Sequence, residues 1–319
     1  MKNFDLISVG ELLVDMTPGG QDTYVAHTGG GPANMACMAA RLGTKTAFIG
    51  QVGDDTFGRQ LGAHLERIGV DISGLAKSKE YPTTLAFVHL AANGERSFSF
   101  YRHGGADTML TVSPQTLAMV GNTKCLFMSS VMMAEGSARE SCFCFLEEAK
   151  NQGVMIAFDP NLRLNLWKRA DEAKEQIKRA LPYADIVKVS EEELAFLTDT
   201  DDVERGAEQL LSVYDNIALL LVTLGAEGTL AVQKGKDAIK VPSFSVHAVD
   251  TTGAGDAFTG AFLSKVLAVG KQSKTDLLNL SQEELITMVR VANAAGALTT
   301  TKPGGIDAQP TEKEIDTIL

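Results

Sequence analysis

The chemistry of this 319-residue chain concentrates in one stretch, Val249-Asp250-Thr251-Thr252-Gly253-Ala254-Gly255-Asp256-Ala257-Phe258. It reads as a strand end, a glycine-rich turn and a helix start. Apolar residues then recur at spacings of three and four (Ala257, Phe258, Ala261, Phe262, Val266, Val269), the pattern of an amphipathic helix. Gly253, Ala254 and Gly255 would therefore sit at a helix N-terminus. There the first backbone N–H groups lack intrahelical acceptors, and the helix dipole adds partial positive charge. Glycine allows close approach of an anion, so the turn suits phosphate. Asp256 is a carboxylate in a place made for anions. It is either a favourable first-turn charge or a general base that takes the proton of a hydroxyl attacking a phosphoryl group held by the turn.

Other polar residues fall at the ends of apolar runs. Phe4–Val9 is a buried-strand pattern, followed by Gly10-Glu11 and by Asp15 within the run Leu12–Met16. Thr28-Gly29-Gly30-Gly31-Pro32-Ala33-Asn34 leads into a helical pattern to Leu42, with Pro32 suited to a first turn. Gly29-x-Gly31-x-x-Asn34 approaches a dinucleotide fingerprint, but it lacks the third glycine and does not directly follow the first strand. Phe158-Asp159-Pro160-Asn161-x-Arg163 ends another run, and Arg163 is a bidentate donor for sugar hydroxyls, carboxylate or phosphate. Lys188-Val189-Ser190-Glu191-Glu192-Glu193 reads as a strand end with a capping box between Ser190 and Glu193. Thr223-Leu224-Gly225-Ala226-Glu227-Gly228 is a glycine-rich turn between two β runs. There is no Walker A pattern, so any nucleotide phosphate would rest on Gly253–Gly255.

The elements that must position these residues alternate. Strand-like runs at Lys124–Met128, Met155–Asp159, Ile186–Val189 and Leu219–Leu224 are interleaved with helix-like runs at Ala138–Gln152, Ala170–Leu181, Glu191–Leu197 and Val203–Val213. This implies an α/β fold with a mainly parallel central sheet and helices on both faces, with ligands outside the carboxyl ends of the strands. Thr83–Leu90 and Arg96–Tyr101 break the alternation. Joined by Ala92-Asn93-Gly94-Glu95, they predict a β-hairpin. With the strands near Asp15 and Tyr24 they predict a small β lid, from about 12–28 and 83–103, inserted in a single domain spanning 1–319. Tyr101 and Arg102 end the hairpin, where they either reach a ligand or simply pack and face solvent. Later, Glu283–Thr299 reads as a helix, Lys302–Gly305 as a turn and Pro310–Leu319 as a closing amphipathic helix.

The formal charge of −11 argues against nucleic-acid and anionic-membrane partners. No apolar run approaches the roughly 20 residues of a membrane span. No signal-peptide pattern opens the chain. Cys37, Cys125, Cys142 and Cys144 fit neither a disulfide scaffold nor a zinc site. The expectation is a cytoplasmic protein.

Taken in order, Gly29-Gly30-x-x-x-Asn34, Arg41-Leu42-Gly43, Phe48-Ile49-Gly50-Gln51-Val52-Gly53-Asp54-Asp55-x-Phe57-Gly58 and Asp250-Thr251-Thr252-Gly253-Ala254-Gly255-Asp256-Ala257-Phe258 resemble the two signatures of the ribokinase/PfkB carbohydrate kinase family. The resemblance covers nearly the whole chain. It implies a ribokinase-like fold and an ATP-dependent sugar kinase, with Asp256 as base and the Gly253, Ala254 and Gly255 amides as anion hole. By the same resemblance, Asp15, Gly30, Gly31, Asn34 and Arg163 contact the sugar, joined by Tyr101 or Arg102 from the lid. Lys188, Glu193, Thr223, Gly225, Ala226, Gly228 and Asn293 serve ATP, and Glu193 positions Mg2+ through water. Ser190 departs from the family's Asn-x-x-Glu. Asp250 and Thr252, with carbonyls of the Thr300–Gly305 segment, match the position of a K+ loop. Members of the family often form homodimers through the lid, and within the family the chain looks most like the fructokinases, which phosphorylate D-fructose to fructose 6-phosphate. The cues are Val9 to Asp15, Ala106-Asp107-x-x-Leu110, Leu164 with Leu166-Trp167, and Val187 to Ser190. Kinases of 2-keto-3-deoxygluconate or aminoimidazole riboside are the sister alternatives. A catalytically inactive regulator and an NAD-dependent oxidoreductase are those of a different class.

Overall fold

Successive strand residues point to opposite faces of a sheet, and the central strands of this chain are apolar at both. Ile7, Val9, Leu126, Met128, Ile156, Phe158, Leu220 and Val222 pack into one core. Their neighbours Leu6, Cys125, Phe127, Met155, Ala157, Leu219 and Leu221 pack into another. Strands apolar at every position need helices on both faces. The computed structural model describes residues 2–20, 23–90 and 96–319. In chain order its strands are β1 (Phe4–Val9), β2 (Leu13–Gly20), β3 (Thr23–Gly29), β4 (Thr46–Gly53), β5 (Asp71–Ser78), β6 (Leu85–Leu90), β7 (Arg96–Tyr101), β8 (Thr123–Ser129), β9 (Met155–Asp159), β10 (Ile186–Ser190), β11 (Leu219–Thr223), β12 (Thr229–Gln233) and β13 (Ile239–Val241).

Nine of these form one sheet in the order β13-β12-β11-β10-β9-β8-β1-β4-β5. All its pairings from β11 to β5 are parallel, while β12 and β13 are antiparallel additions at one edge. The helices Ala138–Asn151, Ala170–Ala180, Glu191–Thr198 and Val203–Val213 supply the first core. The helices Gly31–Arg41, Ala254–Ala268 and Gln282–Thr299 supply the second. The register pairs Ser129 with Asp159 and Ser190 with Thr223, so the carboxyl ends of the central strands share one edge.

The four remaining strands form a separate sheet in the order β3-β2-β6-β7. Here β2–β3 and β6–β7 are antiparallel, and β2–β6 is parallel. The pairing expected for the hairpin is present; its Asn93-Gly94 turn lies outside the described residues. The apolar run Leu12–Met16 extends further than its residue types suggest, because β2 continues to Gly20 against β3.

The helix that opens at Ala254 differs from its expected amphipathic form. Ten consecutive or near-consecutive residues from Ala257 to Leu267 are buried, Thr259, Gly260 and Ser264 among them. It lies between the sheet and two other helices. A Cβ at Gly260 would fall 2.5 Å from Met35 O, so the missing side chain is what lets Gly31–Arg41 approach. Val269, assigned to the apolar face, sits past the last turn and is exposed. Pro310–Leu319 forms the expected closing helix at Glu312–Ile318, with a capping box between Thr311 and Glu314. After Lys302-Pro303 the turn leads into a short helix, Gly305–Ala308.

Candidate active site

Two cavities open at the carboxyl edge of the large sheet and meet at the N-terminus of the Ala254–Ala268 helix. The first, of about 370 Å³, is lined by Glu11, Asp15, Gly30, Gly31, Asn34, Arg102, Asn161, Arg163, Lys188, Glu193, Thr252, Gly253 and Asp256, among others. The second, of about 540 Å³, is lined by Thr223, Gly225, Ala226, Gly228, Asn293 and the 243–248 loop. Thr251 and Gly255 belong to both.

Asp256 occupies the helix's first turn. Its Oδ2 accepts from Asn34 Nδ2 at 2.8 Å and its Oδ1 from Asn161 Nδ2 at 3.3 Å. Both donors are amides, so they orient the carboxylate without giving it a proton. Burial raises its pKa; the Asn34 bond and the Arg163 and Lys188 charges oppose that. Gly253 caps the helix at φ 77°, a left-handed conformation that glycine adopts without cost. The Ala254 N–H turns back on Thr251 O at 3.3 Å, and Ala254 lines the second cavity and not the first. A side chain at Gly255 would meet Lys188 Nζ at 3.2 Å.

The run Gly29-Gly30-Gly31 is a matter of space. A Cβ at Gly29 would fall 2.0 Å from Asp15 Oδ2, and one at Gly31 would fall 2.3 Å from Asn161 Nδ2. Gly30 has φ 112°, with Glu11 O beneath it. Three absent side chains thus make room for Asp15, Glu11 and Asn161 around the entry to the Gly31–Arg41 helix. Burial, with Asp256 and Asp250 nearby, pushes the Asp15 carboxyl up to about 7 against the pull of Arg163.

Deeper in the first cavity, Lys188 Nζ lies 3.1 Å from Asp159 Oδ2. Burial works against the ammonium, but Asp159, Glu193 and Asp256 around it hold its pKa above the ordinary value. The capping box forms as expected: Glu193 Oε2 accepts from Ser190 N–H at 2.8 Å and Ser190 Oγ from Glu193 N–H. Glu193 Oε1 also accepts from Leu162 N–H at 2.6 Å, tying the Asp159–Arg163 turn to the helix. Lys188 and Glu193, assigned from the sequence to the nucleotide, line the charged cavity, on the side Gly255 separates from the second.

Arg102 and Tyr101 part company. Tyr101 is 71% exposed, and its ring meets Phe87 edge-on at 5.3 Å on the outer face of the small sheet. It does not line the cavity. Arg102 is buried, and its Nε donates to Asp107 Oδ2 at 2.7 Å. Neither a solvated Arg102 nor an inward Tyr101 is what the fold contains, because alternate strand positions face opposite sides. In the second cavity, Thr223, Gly225, Ala226 and Gly228 come together as expected. Asn293 spends its amide on protein: its Oδ1 accepts from Thr229 Oγ1 at 2.7 Å, and its Nδ2 donates to the Val241 and Pro242 carbonyls. It shapes the wall. Beside the turn, Asp250 accepts N–H bonds from Thr252 at 2.8 Å and Gly304 at 3.1 Å. The Val249 and Asp250 N–H groups donate to Thr300 O.

Glu11, Asn161 and the 243–248 loop are lining residues that the sequence reading left without a role. Asn161 sits at φ 45°, a left-handed conformation that asparagine tolerates. Among the described residues no helix is long and apolar enough to cross a membrane.

Residues 2–312 match the family described as pfkB family carbohydrate kinase. The probable fructokinase-4 of Arabidopsis thaliana is 40% identical, over 98% of this chain and 96% of that one. The fructokinase of Xylella fastidiosa with bound ATP superposes with a TM-score of 0.90 at 31% identity, covering 98% of this chain and 97% of that one. A double mutant of the Vibrio cholerae O395 fructokinase, with fructose, ADP and potassium ion bound, gives 0.88 at 35% identity, covering 100% and 99%. A match along almost the entire length, carrying both glycine-rich segments and Asp256, leaves one conclusion: the chain belongs to the pfkB family of carbohydrate kinases.

Proposed function

We propose that this chain is a fructokinase, moving the γ-phosphoryl group of ATP to O6 of D-fructose. The observation that carries the reading is the position of Asp256, at the helix N-terminus where a charged cavity and a neutral one meet. Asp15, Gly30, Gly31, Asn34 and Arg163 orient the sugar in the first. Thr223, Gly225, Ala226, Gly228 and Asn293 frame the nucleotide in the second. Asp256 takes the proton of the primary hydroxyl. The O6–Pγ bond forms as the bond from Pγ to the ADP oxygen breaks, and ADP leaves. Amides at Gly253 and Gly255 and the helix dipole stabilise the charge that develops, with Ala254 as the third donor once its long bond to Thr251 opens. The raised pKa of Asp256 makes it the stronger base.

Both Glu193 oxygens already accept backbone N–H bonds, and Asp159 is paired with Lys188. That donor set fits a magnesium ion held by the phosphates and water, with Glu193 in its outer sphere; bound there, it would neutralise charge on the phosphates. The oxygen-rich loop of Asp250, Thr252 and Thr300 suits a potassium ion. The small sheet supplies Leu13, Asp15 and Phe100 to the cavity wall and acts as a lid that excludes water. Its outer face, with Tyr24 and Tyr101 exposed, is where a homodimer would form; a monomeric mass in solution would refute that. The free thiols suit a reducing cytoplasm.

The test is ADP release with Mg-ATP across fructose, glucose, ribose, 2-keto-3-deoxygluconate and aminoimidazole riboside. The expected result is the highest kcat/KM for fructose, with fructose 6-phosphate as product. Preference for the keto acid or the riboside would overturn the substrate, and no turnover on any sugar would overturn the activity.

A further inference from the structure

Two buried charged atoms in the first cavity have no hydrogen-bond partner among the described residues: Glu11 Oε2 and Arg102 Nη1. Their side chains are 3% and 2% exposed, and both line the cavity. An unbonded donor and an unbonded acceptor in such a place are costly. Neither side chain can turn away. Glu11 Oε1 accepts the Gly31 N–H at 2.9 Å. Arg102 Nε is held by Asp107, whose other oxygen accepts from the Thr84 hydroxyl. Asp107 already neutralises Arg102, which leaves Glu11 as the uncompensated group; burial pushes its carboxyl up to about 7.

With Glu11 ionised, whatever completes the pair must accept from Nη1 and donate to Oε2. A hydroxyl does both. A carboxylate cannot donate, and an ammonium cannot accept. A Cβ built on Gly31 would lie 3.5 Å from Glu11 Oε1 and 3.2 Å from Asp256 Oδ1, so the pair stands one sugar's reach from the base. Resting on the reading of this cavity as the sugar site, we infer that Glu11 and Arg102 clamp one fructose hydroxyl other than the one phosphorylated.

Glu11→Gln keeps an oxygen for Gly31 N–H and puts an amide donor where Oε2 stood. Dissociation constants for fructose and each of its monodeoxy analogues, measured by calorimetry, separate the possibilities. In the natural protein, loss of one particular hydroxyl should weaken binding by about 10- to 100-fold, the range for a hydrogen bond to a charged group. In the Gln variant that same deletion should cost several-fold less, because the hydroxyl keeps Arg102 but loses the carboxylate it donates to, with the other deletions costing what they did before. If the variant and the natural protein respond alike to every deletion, the clamp is overturned and Glu11 serves Gly31 alone. If the natural protein binds no sugar, the clamp and the sugar site fall together. Should the variant not fold, the natural protein crystallised with fructose decides: one sugar oxygen about 2.6–3.2 Å from both atoms supports the clamp, and none there overturns it.

Discussion

The two cavities that share Gly255 are built on opposite plans. The charged cavity, proposed as the sugar site, is walled by Glu11, Asp15, Asp256, Glu193, Arg102, Arg163 and Lys188, several of them buried. Among the described residues no charged side chain lines the other cavity, whose wall is glycine, alanine, Phe244, Val246, Phe258, hydroxyls and an Asn293 already spent on protein. A monosaccharide offers only hydroxyls, each needing a placed donor and acceptor, so its site must bury polar groups and bear their cost. A nucleotide brings a flat, apolar-faced base and its own charge. A shaped groove with one helix N-terminus suffices for it.

The contrast can be broken from either side. The largest effect should come where the cavities meet. Asp256→Asn keeps the shape and removes the carboxylate proposed as base, so kcat should fall at least ~100-fold while sugar and ATP dissociation constants hold. Steady-state kinetics with calorimetry checks it; parallel loss in binding would show that Asp256 is a sugar ligand only.

Next is Gly228→Ala. Gly228 sits at φ 108°, and a Cβ there would fall 2.1 Å from Val241 O. The strain, about 1–3 kcal/mol, should lower the melting temperature and raise KM for ATP several-fold, with fructose binding untouched. Asn293→Ala should act similarly but less strongly. It strands Thr229 Oγ1 and the Val241 and Pro242 carbonyls, for about 1–2 kcal/mol of stability. Denaturant titration and ATP kinetics measure it.

The smallest effect is on pH. Asp15 holds its proton to about 7 in the folded chain against an ordinary 3.8, so the folded state binds that proton more tightly than the unfolded one. Its share of stability is greatest below about pH 4 and is lost as pH rises towards 7. Asp15→Asn should flatten the fall in melting temperature across that window for the ligand-free protein. An unchanged slope would place the titration elsewhere.

How far the site was legible in the sequence depends on distance along the chain. The Gly253–Asp256 turn and the Ser190–Glu193 box are local, and their residues carry the chemistry on sight. The central sheet was legible because strands buried on both faces must be apolar throughout. Asn161 and Asp256 meet across 95 positions, and nothing short-range links them. Glu11 looked like an ordinary residue after a strand until Gly31 was seen folded over it. The opposed directions of Tyr101 and Arg102 follow from strand alternation, but only once β7 is registered against β6 and Phe100 is seen to face the cavity. The helix at Ala254 misled because a three-and-four spacing reveals one apolar face, whereas Gly260 and its small neighbours allow packing on several.

The central claim is that the charged cavity takes the sugar, the neutral one the nucleotide, and Asp256 the proton between them. A crystal structure with fructose and a non-hydrolysable ATP analogue tests it most directly. The account predicts the base against Gly228 and the Asn293 wall, the sugar between Asp15 and Arg163, and O6 within about 3 Å of an Asp256 carboxylate oxygen. A sugar whose primary hydroxyl faces away from Asp256, or a nucleotide lodged in the charged cavity, would contradict it.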